Sequence, residues 1–152
     1  MTDTQSPQSI ELLTFQLADQ EYSLDIMSVR EIRGWTRATP LPHAPKFMKG
    51  VINLRGTVLP VMDLAQRLGL AAREQNDRNV IIVVKHEETM TGLLVDAVSD
   101  ILTSDHVEFH ATPEVASGTA KQFVKGVLAN AERMIRLLDV ATIMPGDMAE
   151  AS

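Results

Sequence analysis

Two stretches of this 152-residue chain repeat one another, and that repetition constrains the fold more than any other feature of the sequence. Phe47 to Leu64, FMKGVINLRGTVLPVMDL, returns as Phe123 to Val140, FVKGVLANAERMIRLLDV. Phe47, Lys49, Gly50, Val51 and Asp63 recur at one constant spacing as Phe123, Lys125, Gly126, Val127 and Asp139. Apolar positions match apolar positions almost throughout, so one supersecondary unit occurs twice. The copies part at Asn53-Leu54-Arg55-Gly56, which reads Ala129-Asn130-Ala131-Glu132 in the second. What both copies share serves the fold. What one copy alone has is a candidate for function.

The flanking segments are doubled too. Leu13, Phe15 and Leu17 alternate with Thr14 and Gln16, which predicts a half-buried strand. Tyr22, Leu24 and Ile26 predict a second strand beyond a polar turn, and Val29 to Ile32 continues extended. Val80 to Val84 is an unbroken β-branched run, as expected of a strand covered on both faces. Leu93, Leu94, Val95, Val98, Asp100 and Ile101 match Leu24, Asp25, Ile26, Val29, Glu31 and Ile32. Asp63 and Asp139 each precede a short helix and read as N-caps. Gly50 and Gly126 read as structural. The pattern predicts an all-β protein of two pseudo-repeated five-stranded SH3-like β-barrel subdomains packed together, with short helices. A flexible leader covers residues 1–9, the subdomains 10–76 and 77–146, and a flexible tail 147–152. Each half is too small for a generous core, so the face between them should be apolar. The repeat leaves open whether the halves exchange a strand.

Composition removes several function classes. A net charge of −6 and a pI near 5.1 argue against binding a phosphate backbone, so no nucleic-acid partner is expected. The absence of cysteine excludes disulfides and thiolate chemistry. Aromatic residues make up only 4% of the chain, so the core must be mainly Val, Ile, Leu and Met. No apolar run reaches the length of a membrane span and no signal pattern opens the chain, which points to the cytoplasm without direct membrane insertion. No nucleophile–base pair or phosphate-cradling loop of useful spacing occurs, so neither an enzyme nor a cofactor is expected. His106 and His110 lie near Asp105 and Glu108, but the segment is not a convincing helix to converge them on a metal.

The segments YSLDIMSVREI, FMKGVINLRGTVLPVMDL and GLLVDAVSDIL, in this order from about Ile10 to Met144, resemble the CheW family of chemotaxis adaptors. The resemblance implies a non-enzymatic adaptor that couples the cytoplasmic tips of methyl-accepting chemoreceptors to the regulatory domain of the histidine kinase CheA. It would work within signalling arrays to which it is recruited. The receptor hairpin would lie in a groove between the subdomains. The kinase, and further CheW copies in rings, would meet the barrel ends, with no contact residues assigned there. A CheW-like adaptor of another two-component pathway, controlling surface motility or gene expression, is the alternative.

Arg55 is the sharpest site candidate. It stands opposite the apolar face of Ile52 and Leu54 beside a turn, and offers a planar donor fork suited to a partner's carboxylates or carbonyls. By composition alone, an ordinary solvated turn arginine is the favoured reading. Its replacement by Ala131 in the second copy favours function, and in the family the arginine of the NLRG motif matters for coupling. Asn53 shares its face and its asymmetry. By family analogy Val29, Glu31, Val98 and Ile101, at equivalent ends of the repeats, would line the receptor groove with Val80 on its border. The other reading of Val29 and Val98 is packing between the barrels.

Overall fold

The alternating segments become strands in the order the repeat predicts. In the computed structural model, described for residues 11–70, 78–103, 108–110, 122–130 and 133–144, the first half supplies β1 (Glu11–Leu17), β2 (Gln20–Asp25), β3 (Val29–Gly34), β4 (Met48–Leu54), β5 (Thr57–Asp63) and α1 (Leu64–Arg67). The second supplies β6 (Val80–His86), β7 (Thr89–Val95), β8 (Ala97–Thr103), β9 (Glu108–His110), β10 (Val124–Asn130), β11 (Arg133–Leu138) and α2 (Val140–Ile143). The protein is nearly all-β, built as two pseudo-repeated subdomains.

Strand pairing does not follow the halves of the sequence. One sheet runs β8-β1-β2-β11-β10-β9 and the other β3-β6-β7-β5-β4. The hairpin β1–β2 therefore joins the second half, and the hairpin β6–β7 joins the first. Neither residues 10–76 nor residues 77–146 make up a sheet, which corrects the contiguous boundaries and answers the question of strand exchange. The physical cause lies partly at the junctions. Asp25 accepts a hydrogen bond from the Met27 N–H at 2.9 Å, and the Ser28 hydroxyl donates to the Asp25 carbonyl at 2.7 Å. This closes a single 3-10 turn, Ile26–Ser28, that deflects the chain out of one sheet and into the other. The extended run expected from Tyr22 to Ile32 is broken there. The crossing also creates the parallel pairings β2 with β11 and β5 with β7, since parallel neighbours need a long connection and the other half supplies it.

The six-stranded sheet exceeds expectation by the three-residue β9, in which His110 faces Val127. The counterpart in the first half is a lone bridge between Thr39 and Val51. Proline-rich sequence around Thr39 limits that segment to one ladder position.

Each sheet is curled. Ile52 and Leu54 from one margin meet Ile81 and Val83, next to the other margin, in one cluster. Leu12, Leu128, Ile135 and Leu137 do the same in the other sheet. The largest core lies between the sheets, where Leu13, Phe15 and Leu24 meet Met62, Ile82, Leu93 and Phe123. The β-branched β6 is covered on both faces as expected. So is most of β1, because Thr14 is fully buried rather than solvated. Its hydroxyl donates to the Asp100 carboxylate and accepts the Asp100 N–H at 3.1 Å, so its burial leaves no polar atom unpaired.

Asp63 caps α1 by accepting from the Gln66 N–H at 3.3 Å, and Asp139 caps α2 by accepting from the Ala141 N–H at 3.1 Å. Gly50 and Gly126 mark equivalent register shifts, in β4 between Met48 and Gly50 and in β10 between Val124 and Gly126. At Gly50, φ is +138° and an added Cβ would stand 2.0 Å from the Thr39 carbonyl oxygen. Only glycine fits there.

Candidate functional site

The turn joining β4 to β5 has two residues, Arg55 and Gly56, at φ +52° and +88°. Two positive φ values are what a type I′ hairpin turn needs, and Gly56 supplies one without strain. Arginine in that conformation costs on the order of 1–2 kcal/mol. The Asn53 side chain helps to hold the turn by accepting the Gly56 N–H at 2.9 Å. Asn53 thus has a local structural task.

The strained position aims Arg55 at Glu31. Arg55 Nη2 donates to Glu31 Oε1 at 2.7 Å and Nη1 to Oε2 at 3.3 Å. Arg33 adds a third bond, Nη1 to Glu31 Oε2, at 3.0 Å. The Arg55 bonds, and then that from Arg33, pull the Glu31 carboxyl down to about 2 from its ordinary 4.5. The Arg55 side chain nevertheless stays 70% exposed, so it meets solvent while held in place.

The second half has a corresponding pair. Asp100 is the repeat counterpart of Glu31, and Arg133 donates to it from Nη2 at 3.2 Å and Nη1 at 3.3 Å. Arg133 also donates from Nη2 and Nε to both oxygens of Glu21. The bonds from Arg133, and then from Thr14, hold the Asp100 carboxyl below the usual range. Ala131, at the position equivalent to Arg55, lies outside the described residues. Lack of an arginine at that position does not leave the second sheet without such a tie, because Arg133 supplies one. Arg133 lies two positions further along, equivalent to Thr57. A position-by-position alignment hid this, although Arg133 was legible in the sequence.

The remaining candidates collect elsewhere. Val29 stands opposite Val84 and Ile32 opposite Ile82, while Val80 shares their face of the sheet. On the other sheet Val98 stands opposite Phe15 and Ile101 opposite Leu13. The strand partners Val84, Ile82, Phe15 and Leu13 all belong to the core between the sheets. Cross-strand neighbours project to one side, so these four candidates, and Ile32 with them, lie on the faces turned toward that core. Val29, Val80 and Val98 pack against it in part. Ile32 and Ile101, repeat equivalents on the margin strands β3 and β8, remain 47% and 56% exposed. Ile32 was missed as a candidate, although its equivalence to Ile101 was visible. Glu31 turns from this strip toward Arg55. The expected set thus divides into an apolar strip and a charged hairpin end. Of the metal candidates, His106 lies outside the described residues, and His110 is placed only as part of β9.

A family model described as a CheW-like domain matches residues 11–147. The chain is 51% identical over 142 residues to the chemotaxis protein CheW of Rhizobium meliloti, covering 93% of this chain and 92% of that protein. It is 34% identical over 137 residues to the chemotaxis protein CheW of Klebsiella aerogenes, covering 90% and 82%. Among solved structures, the scaffolding protein TtCheW from Thermoanaerobacter tengcongensis superposes with a TM-score of 0.79 at 30% identity. That match covers 90% of this chain and 92% of the other.

Proposed function

Because this chain belongs to the CheW family of chemotaxis scaffold proteins, we propose that it couples the cytoplasmic tips of chemoreceptors to the histidine kinase CheA. The observation that carries the proposal is the apolar strip of Val29, Ile32, Val80, Val98 and Ile101 beside the core between the sheets. A receptor hairpin presents helices, and an amphipathic helix docks where apolar side chains line a groove. Ile32 and Ile101 expose apolar area at equivalent places on the two sides. Arg55 and Glu31 form the polar end of the site, and Arg55 can offer its remaining donors to a partner.

The kinase's regulatory domain has a different candidate surface. Val58 and Met134 are repeat equivalents, one on each sheet, 65% and 52% exposed. A pseudo-symmetric apolar pair suits a kinase that touches both ends of the adaptor, and suits further adaptor copies in a ring. The adaptor supplies no chemistry in this scheme. It holds the kinase where receptor conformation biases kinase activity. No helix among the described residues is long and apolar enough to cross a membrane, so recruitment to arrays would come through the receptor.

Reconstitution tests this directly. Purified protein is mixed with CheA and receptor-bearing vesicles, and kinase sedimentation and autophosphorylation are followed. Receptor-dependent sedimentation of the kinase is expected with wild type and strongly reduced with Arg55→Glu. No enrichment of kinase with wild-type adaptor would defeat the proposal. Coupling only to a kinase of another two-component pathway would retain the adaptor role and reassign the pathway.

A further inference from the structure

Arg67, at the end of α1, lies between two aromatic rings that are repeat equivalents. Its guanidinium carbon is 4.6 Å from the ring centre of Phe47 and 4.9 Å from that of Phe123, both within cation–π range. The same side chain donates from Nε to the Ile143 carbonyl at 3.1 Å, and from Nη2 to those of Thr142 at 3.2 Å and Met144 at 3.4 Å. These carbonyls close the C-terminal end of α2, where a helix runs out of its own donors. A planar guanidinium can bond several carbonyls while it lies against aromatic rings, which a lysine's compact ammonium does less well.

These partners come from both subdomains. Phe47 leads into β4 of the five-stranded sheet, and Phe123 into β10 of the six-stranded sheet. At the position equivalent to Arg67 the second copy has Ile143, which is fully buried. The arginine is thus an asymmetric insertion into a pseudo-symmetric junction. Phe123, Ile143 and Met144 belong to the core on which Val29, Val80 and Val98 rest.

We propose that Arg67 is a positioning residue that sets the two subdomains against one another and thereby holds the apolar strips of the two sheets in their relative placement. The proposal rests on the receptor reading only for what those strips receive.

The chain has no cysteine, so spin-label pairs can be introduced without background. Gln16→Cys with Thr89→Cys reports a distance between the sheets, and Gln16→Cys with Lys125→Cys a distance within the six-stranded sheet. In Arg67→Met the between-sheet distribution should broaden or shift while the within-sheet distribution stays as in wild type. Affinity for a purified chemoreceptor signalling fragment should fall about tenfold, and Arg67→Lys should fall between. An unchanged between-sheet distribution, or equal broadening of both pairs, would overturn the proposal. Should Arg67→Met fail to fold, Arg67→Lys is judged by the same two distances. A wild type that does not bind the receptor fragment would defeat the receptor reading, and the distances would still decide the role of Arg67.

Discussion

Glu31 on β3 and Arg55 in the β4–β5 turn form a two-bonded ion pair that joins one margin of a curled sheet to the hairpin at the other. The curl brings the margins together, and the pair ties them at one end. Asp100 and Arg133 make the corresponding tie in the second sheet. Two sheets with different turn sequences have reached one electrostatic arrangement.

The Glu31 tie should depend on pH in a defined direction. Its carboxyl is pulled from 4.5 to about 2 in the folded protein, so folding favours the ionised form. The stability it contributes is complete above the unfolded value and lost as pH falls through about 2. Thermal melts of wild type and Glu31→Gln should differ at pH 6 and converge near pH 2. A gap independent of pH would show that the pair does not act through charge.

Arg133 should matter more for stability than Arg55. It is 34% exposed against 70%, and it serves two carboxylates instead of one. Arg55→Ala should cost little by comparison, because solvent screens an exposed ion pair. Arg133→Ala should cost about 1–3 kcal/mol, because it leaves half-buried acceptors unpaired. Denaturant titrations separate the two, and equal costs would contradict the difference drawn here between a structural and an available arginine.

Gly50→Ala should destabilise the protein by at least about 2 kcal/mol. Its φ of +138° is unfavourable for alanine, and the new methyl would strike the Thr39 carbonyl. A melting temperature within a degree of wild type would mean that the segment carrying Thr39 yields freely.

A fragment of residues 1–76 should not fold alone. It lacks β6 and β7, the strands that stand between β3 and β5. Mixed with residues 77–152 it should recover a cooperative thermal transition, because the fragments hold complementary strands. A sharp melt from the isolated first fragment would contradict the exchanged pairing.

Ile32→Ser together with Ile101→Ser should weaken receptor binding about tenfold or more. Both side chains are about half exposed, so each change should move stability by no more than about 0.5 kcal/mol. Receptor titrations alongside thermal melts check this. Unchanged binding would remove the apolar strip from the receptor site.

Local pattern along the chain specifies the elements. Alternation set the strand faces, Val80 to Val84 announced a strand buried twice, and the repeat announced two equivalent units and the caps Asp63 and Asp139. These depend on contacts within a few residues, where local spacing carries the information. Tertiary structure alone decided which strands pair. The hairpin β1–β2 pairs through β2 with β11 of the distant copy, and the turn at Ile26–Ser28 sends the chain on into the other sheet. Arg133 in place of Arg55, the meeting of Glu31 with the far hairpin and the enclosure of Arg67 by Phe47 and Phe123 have the same origin. Each depends on curvature that brings residues remote in the chain within hydrogen-bonding or stacking distance.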